Sequence, residues 1–317
     1  VWIVIANSWQ HTPAGHHVVA GPLGMRAEIV DFWALVFNPS SLQRLGHVLG
    51  GAWLAGATLL LSVGAWYLLK DRHRQFALRT ITVGLVVGFA ASLWQLGTGH
   101  LSAAGVAETQ PVKLAAFEGH YPTSAPADLY LFGWVKDAEQ RTVGLSVPGG
   151  LSLLVHGDPT VPIPGLNAVP KEDRPPIQAV FQSYHAMVAI GMALIGLMGL
   201  AALLHWRDKL PKARWLLWAL VFSVLLPQFA NQLGWFSAEV GRQPWIVQGL
   251  LRTKDAVSPN LSAAHVLTSI ILFGVIYSGL FVLFIYLLDQ KIKHGPDGED
   301  GAEEKGAILA MRGRAEG

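Results

Sequence analysis

The sequence predicts an all-α fold, a polytopic transmembrane helical bundle with a long outer loop. Three observations lead there. Only 14% of the 317 residues are charged, against ~25% in soluble domains, and 52% are hydrophobic. Five stretches free of Asp, Glu, Lys and Arg run for 19 to 28 residues each, and about 20 suffice to cross a bilayer. Basic residues crowd the short connections between alternate stretches. There is no Cys, so thiolate ligation, iron–sulfur clusters, disulfides and thiol catalysis are excluded. The formal charge of +2 and the lack of a basic–aromatic patch give no sign of a nucleic-acid partner.

Val1–Ala6 is apolar but too short to span or to act as a signal peptide. It reads as the last turns of a helix that starts upstream, so the chain is expected to be the C-terminal portion of a longer protein. Asn7–Arg44 is a mixed connection with three prolines; its His11, His16 and His17 are expected in a solvated loop. Leu45–Leu69 is the first complete span, with His47 as its one ionisable side chain, and Thr80–Thr98 is the second. Gly99–Pro176 is polar and holds ten of the 18 prolines. Ile177–Leu204 and Trp215–Ala238 are the next spans. Pro227 inside the latter removes a backbone donor and predicts a kink, with a carbonyl exposed one turn earlier. Ser262–Leu288 is the last span, stopped by Lys291 and Lys293.

The expected organisation is therefore residues 1–98 (a helix end, an outer connection and two spans), 99–176 (the outer loop), 177–290 (three spans) and 291–317 (a disordered tail). The connections 70–79, 205–214 and 289–294 lie on one side and hold ten Lys/Arg in 26 residues. The opposite side also holds ten, in 136 residues. The positive-inside rule makes the dense side, and the C-terminus, cytoplasmic. The long loop and Glu239 then face outward, which is periplasmic in a bacterial inner membrane.

Three ionisable or sulfur-bearing side chains fall in the outer half of the bilayer. Glu239 ends 24 residues that lack any Asp, Glu, Lys, Arg or His, and Arg242 follows three residues on. A carboxylate there requires a cation, a proton or a metal. Two readings stand: an interfacial Glu–Arg pair flanked by Trp235 and Trp245, or a ligand. His47 lies near the outer end of its span, and Met187 about 15 Å into another. Taken alone, each reads more readily as a satisfied or packed helix residue than as a ligand. A His with a Met would fill both axial positions of a low-spin haem and raise its potential.

GWFSAEVGRQPW at Gly234–Trp245, followed by LLRTKDAVSP, resembles the signature of subunit I of the cytochrome bd quinol oxidases. RLGHVLGGAWLAGATLLLSVGAWYLLKDRH at Arg44–His73 and FQSYHAMVAIGM at Phe181–Met192 are similar to the segments carrying that family's low-spin haem b ligands, and ANSWQHTPAG to its exit from the fourth span. The resemblance implies His47 and Met187 as ligands of a low-spin haem b. It implies Glu239 as an axial ligand of a high-spin haem b, with Arg242 and Trp245 beside the haems. One departure is His185, which stands where some members have an Arg that steadies the reduced haem. QPVKLAAFEG at Gln110–Gly119 resembles the start of the quinol-binding loop, which places quinol chemistry on Lys113 and Glu118. A carboxylate there can accept a hydroxyl proton while a Lys orients a quinone oxygen. Val143–Pro176 offers no match.

The family implies terminal oxidation of membrane quinol by dioxygen, a third macrocycle that is haem d or a further haem b, and a second membrane subunit as partner. The alternatives are a non-catalytic membrane haem b electron carrier or divergent paralogue, and a transporter using Pro227 and Glu239 as a broken helix.

Overall fold

Helix follows apolarity along this chain but runs past it at most boundaries. The computed structural model describes residues 1–21, 24–258 and 260–296. Five helices in it are long and apolar enough to cross a membrane: Ser41–Leu69, Arg74–Thr109, Lys171–Trp206, Arg214–Val240 and Ala263–His294. The all-α, polytopic expectation holds.

In chain order, α1 (Trp2–His11) leads into a hairpin of β1 (His16–Gly21) and β2 (Gly24–Ile29), then α2 (Phe32–Val36). α3 (Ser41–Leu69) and α4 (Arg74–Thr109) form the most extensive helix pair, and α5 (Pro111–Glu118) follows at once. β3 (Leu129–Lys136) and β4 (Arg141–Val147) make a second hairpin, and α6 (Gly150–His156) covers its end. α7 (Ile177–Trp206) returns through the bundle. α8 (Arg214–Phe222) and α9 (Leu225–Val240) share the fourth span. β5 (Trp245–Val247) and β6 (Leu251–Arg252) precede α10 (Ala263–His294).

Several boundaries differ from the sequence reading, each for a physical reason. Gly99–Thr109, read as the start of the outer loop, continues α4. Ala103, Ala104, Val106 and Ala107 sustain helix there, and the chain breaks only at Gln110, which precedes Pro111. At ~1.5 Å per residue, α4's 36 residues exceed the ~30 Å hydrocarbon thickness by several turns. The connection 7–44 is likewise structured: α1 reaches His11, and His11 is 1% exposed, so it does not lie in a solvated loop. The last helix continues through Lys291 and Lys293 to His294. The expected tail beyond it, 297–317, lies outside the described residues.

The predicted kink appears as the break between α8 and α9. Pro227 has no N–H for the Ser223 carbonyl, which instead takes Leu226 N at 3.1 Å, one residue closer than α-helical spacing.

The main core joins α3, α4, α7 and α8 through Leu61, Ile81, Leu85, Leu194, Met198 and Leu216, all essentially inaccessible. At Gly84, a side chain would come within 2.9 Å of Leu61, so glycine permits the close α3–α4 approach. A second core seats α5 between the β3–β4 hairpin and α7 through Ala115, Phe117, Val135, Val180 and Phe181. α10 is exposed along its described length and meets the bundle near its end, where Tyr67 Oη donates to the Ile292 carbonyl at 2.8 Å.

Candidate functional site

Glu239 stands at the C-terminal end of α9, where the chain turns through 241–244 into β5. Its side chain is 35% exposed. Oε1 accepts from Asn7 Nδ2 at 2.7 Å and faces His11 Nε2 at 3.4 Å, both from α1. Oε2 accepts from Arg242 Nη2. Arg242 is itself buried and donates through Nη1 to Gln10 Oε1 at 2.9 Å and to the Ile246 carbonyl. The pairing of Glu239 with Arg242 is thus real, but it is not the simple interfacial pair of two exposed side chains.

The cluster continues inward from His11. Its Nδ1 lies 3.1 Å from Lys113 Nζ and 3.3 Å from Gln110 Oε1. A neutral imidazole satisfies both neighbours by accepting from Lys113 at Nδ1 and donating to Glu239 at Nε2. Arg44 of α3 adds a further cation within electrostatic range of Glu239 and Lys113. Burial first, then Arg44 and Arg242, hold the Lys113 ammonium well below its ordinary pKa, and Glu239 opposes them.

Glu118 is equally buried but turned elsewhere. Five residues along a helix place it roughly 140° around α5 from Lys113. Its neighbour is Tyr184 of α7, whose ring stacks on Phe117 with centroids 4.5 Å apart. Glu118 Oε2 is buried without a hydrogen-bond partner among the described residues. Burial pushes its pKa up to about 8. The two residues that the sequence pairs for quinol therefore have different neighbours, Lys113 in the Glu239 cluster and Glu118 against α7. Neither sits on an exposed helix turn.

His47 on α3 is half-buried, and its Nδ1 lies 3.0 Å from Thr98 Oγ1 on α4. Met187 on α7 packs on α9: a Cβ on Gly234 would come within 2.8 Å of its sulfur, so that glycine makes room for the thioether. His185 sits between two carbonyls, with Nδ1 2.9 Å from that of Phe181 and Nε2 2.8 Å from that of Tyr130. A neutral imidazole donates to only one of the two carbonyls; through Tyr130 the ring ties the hairpin to α7. Trp245 lies under the Arg252 guanidinium at 4.7 Å, and Arg252 pairs with Asp173 at 2.6 Å, linking this segment to the loop.

Beside Glu239 an open cleft of about 680 Å³ runs along one face of α9, with Ile190 of α7 at its edge. Ile190, Phe229, Leu233, Trp235 and Phe236 line it, together with the polar Gln232 and Glu239. The residues fit a flat apolar macrocycle with an iron at its centre. The walls are apolar and aromatic, and the carboxylate is held as an anion by three donors. An ionised carboxylate has about four lone-pair positions, so one remains.

The residues that sequence reading missed are Asn7, Gln10, His11 and Gln110. Asn7, Gln10 and His11 have the i, i+3, i+4 spacing of one helix face. That signal was present in ANSWQHTPAG, but ending α1 at Ala6 hid it.

Long apolar helices, with a half-buried histidine–carboxylate–guanidinium cluster where α9 meets the short α1, define a multi-pass helical membrane protein. The family model described as cytochrome bd terminal oxidase subunit I matches residues 1–296, and the chain belongs to that family. It is 34% identical over 311 residues to the cytochrome bd ubiquinol oxidase subunit 1 of Bacillus subtilis (strain 168), covering 93% of this chain and 65% of that relative. It is 30% identical over 363 residues to the cytochrome bd-II ubiquinol oxidase subunit 1 of Escherichia coli (strain K12), covering 93% of this chain and 70% of that one. The bd oxidase structure from Geobacillus thermodenitrificans superposes with a TM-score of 0.82 at 31% identity, over 93% of this chain and 67% of that chain. The chain thus spans about two thirds of the length of these relatives.

Proposed function

We propose that this chain is the haem-bearing part of subunit I of a quinol:dioxygen oxidoreductase, working with a second membrane subunit. The observation that carries the reading is the Glu239 carboxylate, kept anionic by Asn7, His11 and Arg242 on the wall of an apolar cleft. Family membership supports it. A carrier of two haems b would use Glu239 in the same way and differs in lacking oxygen reduction, and family membership leaves no support for a transporter.

In this reading His47 and Met187 ligate one low-spin haem b. Glu239 ligates a high-spin haem b, and Arg242 and Trp245 lie beside the haems. The third macrocycle is haem d or a further haem b, held with residues outside this chain. Bound haem supplies one-electron transfer and, where an axial position is open, oxygen binding. The protein's own part is to position ligands and manage protons. Glu118, on the loop between α4 and α7, accepts the hydroxyl proton of quinol, the role its pKa near neutrality suits. Lys113 joins that loop to the Glu239 cluster through His11. The dense basic connections put the loop on the periplasmic side and the C-terminus in the cytoplasm. Quinol protons then leave outside, while protons for water formation come from inside.

Reduced-minus-oxidised spectroscopy of the assembled oxidase tests the reading. Low-spin and high-spin haem b bands together with oxygen uptake driven by quinol are expected. Haem b bands without oxygen uptake would instead establish the carrier.

A further inference from the structure

We propose that Thr98 is a positioning residue for His47: it fixes the imidazole as the Nδ1–H tautomer and so aims the Nε2 lone pair at a metal. The proposal rests on the reading that His47 ligates the low-spin haem b.

The hydroxyl of Thr98 has one proton and three acceptors within reach. It lies 2.8 Å from the Trp94 carbonyl one turn back, 3.5 Å from Gln95 Oε1 and 3.0 Å from His47 Nδ1. If the hydroxyl donates to the Trp94 carbonyl, its oxygen is free to accept, and Nδ1–H of His47 supplies the proton. Two hydrogen bonds then form. If the hydroxyl turned to donate to Nδ1, the bond to Trp94 would be lost and one would remain. The first arrangement is favoured by one buried hydrogen bond.

In that arrangement the remaining ring nitrogen, Nε2, carries the lone pair. It has no hydrogen-bond partner among the described residues, although His47 is half-buried. A neutral imidazole with one nitrogen held and the other bare is the form a metal requires.

The surroundings keep Thr98 in place. Trp94 Nε1 donates to the Gly46 carbonyl at 2.9 Å, which registers α4 against α3 beside His47. A Cβ on Gly50 would fall 2.7 Å from Trp94, so the indole is seated tightly on α3. Thr98 is 7% exposed, and water has little access to compete for Nδ1. Thr98, unlike His47, lies outside the segments whose likeness to the family points to haem ligands. The pairing appears only when α3 and α4 are docked, 51 residues apart in the chain.

An acceptor on Nδ1–H makes the opposite nitrogen more basic, which favours ferric over ferrous iron. Losing it should weaken ferric ligation relative to ferrous by about tenfold, which raises a one-electron midpoint potential by about 59 mV. The experiment is a spectroelectrochemical titration of the whole oxidase complex carrying Thr98→Val, Thr98→Ala or Thr98→Ser, with His47→Ala beside them. Val keeps the shape and removes the hydroxyl, Ala removes both, and Ser keeps the hydroxyl. The expected result is a retained low-spin haem b with a raised potential in Val and Ala, and a potential restored in Ser. An unchanged potential in Val and Ala, with the low-spin haem lost in His47→Ala, overturns the proposal and leaves the ligand assignment standing. A potential that Ser fails to restore overturns it too, because packing rather than the hydroxyl is then the cause. A low-spin haem that survives in His47→Ala sinks the ligand assignment itself. Should Val fail to assemble, Ala and Ser decide the same question.

Discussion

His11 Nε2 lies 3.4 Å from Glu239 Oε1, across 228 residues of chain, and the other nitrogen of the same ring lies 3.1 Å from Lys113 Nζ. One imidazole thus joins the first helix, the loop helix α5 and the end of α9. This contact is where three separately encoded segments become one site.

Replacing His11 by Leu should therefore disturb two partners at once. Lys113 loses its acceptor and Glu239 loses a donor, and each buried polar group left unpaired costs about 1–3 kcal/mol. Thermal unfolding of the complex in detergent should shift down. His11→Gln, which keeps a donor and an acceptor, should lose less. Equal transitions for wild type and the Leu variant would mean that the cluster contributes nothing to stability.

Glu118 makes a prediction about pH. Its folded-state pKa of about 8 lies above the ordinary carboxylate value, because burial disfavours the anion. Between that ordinary value and about 8 the folded protein holds a proton that the unfolded chain has released. This stabilising contribution is whole at low pH and is lost as pH rises through that window. The same titration governs a base: quinol turnover should rise roughly fivefold from pH 7 to 8 and level off above. Glu118→Gln should lower turnover and flatten this profile while haem content stays constant. A variant profile that keeps the wild-type slope would remove Glu118 from the proton step.

How much of this was legible beforehand depends on whether the signal is local. Apolar run length alone placed five spans, and Pro227 alone located the break in the fourth, because a missing N–H acts on its own carbonyl partner. His11 was misread because a polar side chain near Pro13 looks solvated until Glu239 and Lys113 arrive from elsewhere. The β3–β4 hairpin escaped for another reason. Leu129–Lys136 reads LYLFGWVK, which has no alternation of polar and apolar residues: Val135 is buried against α5 and α7, while Leu131, Phe132 and Trp134 are apolar yet exposed. Glu239 was legible as an oddity, a carboxylate ending an apolar span. Its partners Asn7 and Gln10 were not.

Met187 supplies a test of the low-spin site. Met187→Leu nearly keeps the volume and removes the sulfur, so the low-spin haem b should turn high-spin or be lost. Gly234→Ala attacks the same sulfur from α9, because the new methyl would come within 2.8 Å of it. It should broaden or shift the low-spin band without removing a ligand. An unchanged low-spin spectrum in Met187→Leu would reject Met187. His185, whose ring nitrogens lie beside the Phe181 and Tyr130 carbonyls, would then be the next ligand to replace.

The sharpest separation comes from Glu239 and Arg242. Glu239→Gln keeps the shape and a lone pair but removes the charge that Arg242, 5% exposed, is paired with. As a ligand, Glu239 is needed for the iron; as an ion-pair partner, it is needed only for Arg242. The ligand reading predicts at least about a tenfold depletion of high-spin haem b, with the His47/Met187 haem intact. Arg242→Lys keeps the charge but cannot bond to Glu239, Gln10 and the Ile246 carbonyl with one planar group, so it should deplete the same haem partially. Reduced-minus-oxidised spectra of both variants in the assembled membrane complex decide between the two. A full high-spin haem b signal in Glu239→Gln would leave the residue as an ion-pair partner, and the cleft beside it would need another ligand.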